Sequence, residues 1–383
     1  MIRVALQMLV GDRLKYLGLI VGIAFASLLI SQQASILVGL AHQTGSFVRD
    51  TSHADLWVMD SEVRFSQDSL SLSDNTLLRV RGIEGVQWAV PLYQGFLKAK
   101  LPDGTRMTAI VIGLDDATLI GGPPEMVQGS LADLRQDKAV IVDYNSLESK
   151  FMMKRSGGRP IRVGDNLSIN DQDARLVGTY RASQSFFWEP VIYTTYSRAL
   201  QYAPRERKLM TYVMVKLKPD ADVAKVAASI EAATGLKART NDEFIALTRD
   251  YILKETGILI NFGLAVGLGF IVGTLIAGQM LYNFTLDNLR HYGALKAMGA
   301  GNGTLVIMNL IQALTVGVLG YGIGLGLGSL LGQLVASAGL AFRMPWQVPV
   351  LCGVAILIIC LIASALSITR VLKLEPAIVF KGG

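Results

Sequence analysis

Residues 257–300 read GILINFGLAVGLGFIVGTLIAGQMLYNFTLDNLRHYGALKAMGA, and they determine how the chain is organised. The first part, residues 257–286, contains no charged side chain. About 20 consecutive apolar residues cross the hydrocarbon core of a bilayer, so this run is long enough to span a membrane. The charged segment that follows is short and compatible with a helix, and another apolar run begins at Gly301. The stretch therefore predicts a membrane helix, a short loop and a second membrane helix.

The composition is that of a membrane protein. Only 17% of the 383 residues are charged, whereas a soluble protein usually carries about 25%. Four charge-free runs exceed the ~18 residues that indicate a transmembrane helix. The third run is too long for one upright helix and is expected to end near residues 337–339. We assign the four transmembrane helices to residues 17–40, 257–286, 301–337 and 344–369.

Lysine and arginine beside these runs predict the orientation, because positive residues concentrate in cytoplasmic loops. They flank the first run on its N-terminal side, lie between the second and third, and follow the fourth. Both termini, the loop 287–300 and the tail 370–383 are therefore expected in the cytoplasm. Residues 1–12 are expected to form an interfacial helix that leads into a retained, uncleaved anchor. Residues 41–256 are then expected on the outer side of the membrane.

The charge balance argues against nucleic-acid binding. The net charge is +6, but only nine of the 36 Lys and Arg and three of the 30 Asp and Glu lie outside residues 41–256. That large segment is therefore neutral, and the excess belongs to the membrane flanks. Both cysteines, Cys352 and Cys360, lie in the fourth run, so the outer segment is expected to fold without a disulfide.

The sequence contains no motif for catalysis or for a bound metal or cofactor. The three histidines are scattered and lack metal-ligand spacing. The glycine-rich run 317–328 is not a phosphate loop, because no GxxxxGK[ST] pattern accompanies it. No ionisable residue lies at mid-membrane depth, whereas ion-coupled carriers normally need such groups. We therefore expect no enzyme activity in this chain.

The outer segment predicts a two-lobed α+β domain. Residues 41–116 give the order β-α-β-β, and residues 209–240 give β-α-β, which is compatible with a split ferredoxin-like lobe. The insert 117–208 predicts a second, β-rich lobe. Residues 241–256 predict a stalk helix that continues without interruption into the second membrane helix. The insert also carries an aromatic cluster, for which a partner-binding patch and packing in the lobe's own core both remain open: Phe186, Phe187, Trp188, Tyr193 and Tyr196.

Glycines in the second and third membrane runs recur every four residues. Such faces let helix backbones approach closely in lipid. Packing within one subunit and contact across a dimer are both open interpretations, and residues 322 and 326 offer an alternative face on the third run. The glycines concerned are Gly263, Gly267, Gly269, Gly273, Gly320, Gly324 and Gly328.

The loop 287–300 predicts a short helix over residues 289–298, stopped by Gly299. Its YGALKAMGA segment lies between the second and third of four spans and follows a large outer domain. Together with the C-terminal RVLKLEPAIVF, it resembles the FtsX/MacB-like ABC transporter permease superfamily. The stretch GVQWAVPLYQGFLKAK resembles DevC-like permeases, of the kind associated with heterocyst glycolipid export. His291 stands where relatives usually carry Glu.

The resemblance implies a homodimer with type VII ABC (MacB-like) architecture, in which ATP and magnesium bind two copies of a separate ATPase subunit. It implies a periplasmic adaptor and an outer-membrane channel as further partners. It also implies a location in the bacterial inner membrane, with residues 41–256 in the periplasm. It also implies that the loop helix docks the ATPase as a coupling helix, and the residues we expect to serve this role are Leu289, Arg290, His291, Tyr292, Leu295, Lys296 and Met298.

Two functional hypotheses follow from the resemblance, and a third class does not depend on it. The first is an ATP-driven exporter of a lipidic or amphiphilic substrate. The second is an FtsX-like transducer that regulates a periplasmic hydrolase and moves no substrate. The third is a membrane-anchored sensor or scaffold without ATP coupling.

Overall fold

A computed structural model describes residues 2–51, 53–155, 157–181, 183–204, 209–337 and 340–372. The chain divides into two units, each treated by itself below. The membrane unit comprises Met1–Leu40 and Gly257–Gly383, and the α+β unit comprises Ala41–Thr256. Most of the predicted cytoplasmic tail, residues 373–383 with Lys373 and Lys381, lies outside the described residues.

Eleven α-helices account for most of the described residues outside the sheet. Five short or intermediate helices belong to the α+β unit, and the long apolar ones belong to the membrane unit. In chain order the helices are α1 (Ile2–Gly11), α2 (Arg13–Gln43), α3 (Ser46–Asp50), α4 (Asp74–Arg81), α5 (Tyr196–Tyr202), α6 (Val223–Thr234), α7 (Asn241–Glu255), α8 (Ile258–Asp287), α9 (Leu289–Ala297), α10 (Asn302–Ser337) and α11 (Gln347–Leu372).

The described part of the α+β unit contains twelve strands, with two short 3-10 helices at Leu131–Arg135 and Tyr144–Ser146. In chain order the strands are β1 (Leu56–Met59), β2 (Val86–Lys100), β3 (Arg106–Leu114), β4 (Glu125–Gln128), β5 (Ala139–Asp143), β6 (Met152–Met153), β7 (Arg159–Pro160), β8 (Asn166–Ile169), β9 (Gln172–Arg181), β10 (Val191–Thr195), β11 (Tyr212–Leu217) and β12 (Lys237–Thr240).

In the described part of the membrane unit, four helices are long and apolar enough to cross a bilayer, namely α2, α8, α10 and α11. They correspond to the four predicted runs. Their shared core is made of small and aliphatic side chains, with Ile23 and Ala26 of α2 meeting Leu281 of α8 and Ile359 of α11. Small residues suit this role, because in lipid the association of helices depends on close packing rather than on the hydrophobic effect.

The predicted uninterrupted helix from residue 241 to residue 286 is wrong. Helix α7 ends at Glu255 and α8 begins at Ile258, with Gly257 between them at φ +70° and ψ 2°. This left-handed conformation ends an α-helix and carries no steric penalty for glycine. In the sequence Gly257 is the first residue of the charge-free run, and in the structure it separates the two helices.

One half of the α+β unit has the predicted ferredoxin-like arrangement. The strands lie in the order β12-β1-β11-β2, and every neighbouring pair is antiparallel. Helices α4 and α6 cover this half through a hydrophobic cluster that contains Val80 and Ile230, both fully buried. The two parts read from the sequence, residues 41–116 and 209–240, therefore come together although the insert 117–208 separates them.

Most strands of the insert do not form a sheet of their own, which corrects the predicted second lobe. Strand β2 is 15 residues long, and its second half pairs with β3. Strand β10 then adds parallel to β3, followed by β5, β9 and β4 in one continuous path. The short strands β6 and β7 pair with each other in a separate two-stranded sheet. The insert is β-rich, as predicted, but most of its strands extend the sheet that the ferredoxin-like half begins.

Replacing Gly257 with alanine is expected to join α7 and α8. A left-handed alanine costs about 1–2 kcal/mol, so helical dihedral angles become preferred at this position. The first amides of α8 would then gain carbonyl partners from α7, since the first four N–H groups of a helix otherwise lack them. Amide hydrogen exchange of residues 258–260, measured by mass spectrometry on the full chain, should slow.

The matched control is Gly263→Ala, because Gly263 lies inside α8 with open space around its Cα. That variant should leave exchange at residues 258–260 unchanged. Unchanged exchange in Gly257→Ala as well would contradict the assignment of Gly257 as the residue that separates the two helices.

Candidate functional site: the α9 helix and its supports

Helix α9 is the short helix predicted for the loop between the second and third membrane helices. It follows Asn288 directly, and Gly299 at φ +94° lies just beyond its end. The amides of Met298 and Gly299 donate to the carbonyls of Ala294 and Lys296, which closes the C-terminal turn. The local signal, a helix-forming run ended by glycine, was therefore sufficient to place this element.

One face of α9 is buried against the other helices of the membrane unit. The Tyr292 side chain is fully buried, and Leu289 and Leu295 pack beside it. This face contacts a cluster drawn from α1, α10 and α11, whose members are Ala5, Leu305, Met308, Ile368 and Val371. Helix α9 is thus attached to three other elements through apolar contacts.

A chain of hydrogen bonds strengthens this attachment. The Tyr292 hydroxyl donates to Gln312 Oε1 on α10 at 2.9 Å, and Gln312 Nε2 donates to the Ala5 carbonyl on α1 at 2.9 Å. Gln312 is also fully buried. Burial raises the pKa of Tyr292 to about 12, so the phenol remains a neutral donor. These two hydrogen bonds link α9, α10 and α1 through side chains that have no access to water.

A second polar cluster lies on the same face of α10, and sequence reasoning missed it. Asn309 is fully buried, and its Nδ2 donates to the Ser364 carbonyl, the Ser364 hydroxyl and the Ser367 hydroxyl at 2.9–3.1 Å. Thr285 of α8 donates to Asn309 Oδ1 at 3.3 Å. The sequence did contain a signal for this cluster. Asn309 lies three residues before Gln312, and residues i and i+3 share a helix face, so the two amides could be expected on one side of α10.

The opposite face of α9 is exposed, and this divides the predicted docking residues. Arg290, His291 and Met298 are exposed, Met298 to 75%. Tyr292 and Leu295 support α9 from within the membrane unit, and the Lys296 ammonium donates to the Leu372 carbonyl at 3.3 Å. Tyr292 was expected among the docking residues, but its ring is fully buried on the face that packs on α10 and is not available to a partner on the exposed face. The exposed face also includes Ala294 and Ala297.

The glycine faces also divide into two sets. Gly269 and Gly273 of α8 approach α2 closely, since a Cβ atom on either would meet Leu29 or Ala26. Gly320, Gly324 and Gly328 of α10 likewise approach α2, where a Cβ would meet Ile23, the Ala24 carbonyl and Ser31 respectively. A second set has open space at the Cβ position: Gly263, Gly267, Gly322 and Gly326.

The aromatic cluster of the insert is split as well. Tyr193 is buried and packs edge-on against Tyr180, with ring centroids 5.1 Å apart. Tyr196 is half-buried and packs against two hydrophobic cores. Phe186, Phe187 and Trp188 instead lie in the segment between β9 and β10, where Trp188 is 41% exposed. Among the residues that the structure describes, no group of His, Cys, Asp and Glu side chains has the geometry of a metal site.

Two family models together match both units. The FtsX-like permease C-terminal model matches residues 263–376, and the MacB-like periplasmic core domain model matches residues 16–233, more than half of the chain. The chain belongs to the FtsX/MacB-like family of ABC transporter permeases. The predicted family is confirmed, as is the fold class of four membrane helices with a large α+β domain. Membership implies an ATPase partner, while the narrower DevC-like assignment stays a prediction.

Individual relatives are distant. The chain is 26% identical to an uncharacterized ABC transporter permease of Methanocaldococcus jannaschii over 212 residues, which is 54% of this chain and 50% of that protein. It is 27% identical to the macrolide export ATP-binding/permease protein MacB of Shewanella sp. (strain ANA-3) over 240 residues, which is 57% of this chain and 35% of that protein. The matched region thus spans half or less of these relatives' own lengths.

Among solved structures, the periplasmic region of MacB from Actinobacillus actinomycetemcomitans matches with a TM-score of 0.38 at 15% identity. That match covers 51% of this chain and 92% of the other chain. The extracellular domain of the ABC-type transporter YknZ from Gram-positive bacteria matches with a TM-score of 0.34 at 13% identity, over 49% of this chain and 98% of the other.

Replacing Tyr292 with phenylalanine is expected to loosen α9 without removing its apolar contacts. The change leaves the buried Gln312 Oε1 without its donor, and an unsatisfied buried acceptor costs about 1–3 kcal/mol. The thermal unfolding midpoint of the purified full chain should fall. Tyr16→Phe is the control, since Tyr16 is partly buried in the same unit and its hydroxyl has no hydrogen-bond partner among the described residues. Equal midpoints for the two variants would show that the Tyr292–Gln312 bond contributes nothing.

Proposed function

We propose that the chain is the permease subunit of an ATP-driven exporter, which transmits the motion of an ATPase to the periplasmic domain and exports a lipidic or amphiphilic substrate. The observation that carries the proposal is the two-sided environment of α9. One face is fixed to α1, α10 and α11, and the other presents Arg290, His291 and Met298 to solvent. A helix of this kind can receive a partner on its exposed face and pass the displacement to the helices behind it.

The exposed face of α9 is suited to a protein partner. Met298 supplies a large apolar side chain at the C-terminal end of the helix, and Arg290 and His291 supply polar groups at the other end. An apolar anchor beside polar groups is a common arrangement in protein interfaces. In the proposal, ATP and magnesium bind to two copies of an ATPase subunit outside these 383 residues.

The other partners in the proposal are a second copy of this chain, a periplasmic adaptor and an outer-membrane channel. The chain would lie in the bacterial inner membrane with both termini in the cytoplasm, as the distribution of Lys and Arg favours. Mass spectrometry of a complex purified from native membranes separates the two hypotheses. A copurifying adaptor supports export by a DevC-like system, whereas a copurifying cell-wall hydrolase supports the FtsX-like transducer.

Replacing Met298 with aspartate is expected to reduce the copurified ATPase at least tenfold. A charge at the centre of an apolar contact is desolvated without a partner, which is strongly unfavourable. Pull-down of the tagged full chain from native membranes, with the ATPase quantified by mass spectrometry, measures the effect. Leu295 is unsuitable for this test, because it is half-buried against the supports of α9.

Asn302→Asp provides the matched control, since it adds a negative charge at an exposed residue near α9 at the start of α10. It should leave ATPase association unchanged. Undiminished association in Met298→Asp would refute the docking role of this face, and absence of any ATPase with the unaltered chain would refute the ABC mechanism itself.

Gly263 and Gly267 are the proposed contact with the second copy. Among the four candidate spans, α8 is the least buried within the chain. Only 11% of its most apolar stretch is buried, against 39% to 50% for the other three. Gly267→Leu should lower the dimer fraction in lipid nanodiscs about tenfold or more, because a bulky side chain prevents close backbone approach. Gly326→Leu makes the same change on α10, at a glycine that also has open space at its Cβ position, and it should have no effect. A dimer that tolerates Gly267→Leu would place the contact elsewhere.

A further inference from the structure

The segment between β9 and β10 contributes to a continuous aromatic surface. The Phe187 ring lies 5.8 Å from Phe65 and 6.0 Å from Phe96, measured between ring centroids. Phe65 in turn stacks on Tyr251 of α7 at 4.9 Å. These rings are half-buried or exposed, and Phe96 is 39% exposed. We call this surface the aromatic patch, and it comprises Phe65, Phe96, Phe186, Phe187 and Tyr251.

A small cavity with a mostly apolar lining and a few polar side chains adjoins the aromatic patch. Its volume is about 30 Å³, which suits one water molecule or a terminal group of similar size. Strand β2 connects the two features, because Gln94 lines the cavity and Phe96 belongs to the patch. Residues two apart on a strand share a face. The segment before β10 makes the same connection, with Ser185 at the cavity and Phe187 in the patch.

Gln94 is the unusual member of the cavity. Its side chain is only 2% exposed, yet neither Nε2 nor Oε1 has a hydrogen-bond partner among the described residues. A buried amide without partners is unfavourable, and nearly all buried polar groups in proteins are paired. Gln94 therefore offers one donor group and one acceptor to whatever enters the cavity.

The other polar groups of the cavity restrict what can enter. Asp50 accepts hydrogen bonds from the Ser183 amide at 2.8 Å and the Ser183 hydroxyl at 2.9 Å, so both of its carboxylate oxygens are engaged. Burial raises the pKa of Asp50, and the bonds from Ser183 partly offset this rise. None of the described residues that line the cavity is basic. An anionic group would meet the Asp50 carboxylate, and Arg49, whose charge acts on Asp50, does not line the cavity.

The Gln94 amide distinguishes among the remaining groups. An ammonium group only donates hydrogen bonds, so it would leave Gln94 Nε2 unpaired. A hydroxyl or a primary amide both donates and accepts, and therefore satisfies both atoms of the Gln94 side chain. The small volume admits such an end group but excludes a sugar ring.

We propose that the cavity and the aromatic patch bind one amphiphile, whose hydroxyl or amide end group bonds to Gln94 while its apolar chain lies on Phe96, Phe187 and Phe65. The role of this site in export rests on the proposed function, whereas the binding itself does not. The chain connections suit a membrane-derived ligand, because Tyr251 precedes Ile258 of α8 by seven residues and Asp50 follows Gln43 of α2 by seven.

Photolabelling of the full chain in lipid nanodiscs tests the site. The probe is an octanol that carries an alkyl diazirine, and labelled peptides are identified by mass spectrometry. We expect label on residues 94–96 and 183–188. An excess of octanol should compete with the probe, whereas octanoate and octylammonium should not. Gln94→Leu, which keeps the size and removes the amide, should lower this labelling at least tenfold, and Phe187→Ala should also lower it.

Gln172→Leu makes the same chemical change at an exposed residue of β9 and should label like the unaltered chain. Gln94→Met gives a second isosteric test, should Gln94→Leu fail to fold. Equal labelling of the Gln94 variants and the unaltered chain, or label confined to the membrane helices, would overturn the site and identify a cavity that holds water only. A chain that labels here but recruits no ATPase would refute the export function and retain the site.

Discussion

Two amide side chains on one face of α10 hold together the end of the membrane unit that carries α1 and α9. Within a bilayer no water competes for polar groups, so Asn309 and Gln312 must find their partners inside the protein. Asn309 binds α8 and α11, and Gln312 binds α9 and α1. Each such bond contributes modestly, on average ~0.6 kcal/mol in membrane proteins. Because each amide joins two elements at once, a displacement of α9 that preserves these bonds must carry α1 and α10 with it.

The glycines of the membrane unit follow from the same absence of a hydrophobic driving force. Gly273 and Gly324 bring α8 and α10 against α2 at distances that no side chain would allow. The small residues of α2 at the contact, such as Ala26 and Ser27, match them from the other side. Close packing at one end and shared amides at the other therefore fix three long helices without any ion pair at mid-membrane depth among the described residues.

The sequence predicted those features that depend on local pattern. Long charge-free runs located the four membrane helices, and Gly299 located the end of α9. The β-α-β pairs on either side of the insert were also readable, since each pair is contiguous in the chain. The features that were missed depend on contacts between distant residues. The Tyr292 side chain points inward because it bonds to Gln312, which in turn bonds to Ala5. Strand β10 pairs with β3, which lies about 80 residues earlier in the sequence.

The aromatic cluster shows the same limit at the level of single side chains. Five rings close together in sequence left a partner patch and core packing open, and alternation along β10 directs Tyr193 into the core. The rings that join Phe187 at the surface, Phe65 and Phe96, come from other parts of the chain. The sequence shows where aromatic residues are concentrated along the chain. Predicting an aromatic surface also requires knowing which distant residues the fold brings together.

Helix α7 changes how transmission between the two units must be understood within the proposed function. Helix α7 is held by hydrogen bonds and buried contacts with other elements of the α+β unit. Trp57 Nε1 donates to Asn241 Oδ1 at 2.7 Å, the Ser66 amide donates to Thr248 at 3.0 Å, and Phe244 is fully buried. The backbone between α7 and α8 then passes through Gly257, whose dihedral angles are less restricted than those of any other residue. Within the proposed function, motion of α8 therefore reaches α7 through a residue that lies outside both helices, and not along one continuous helix.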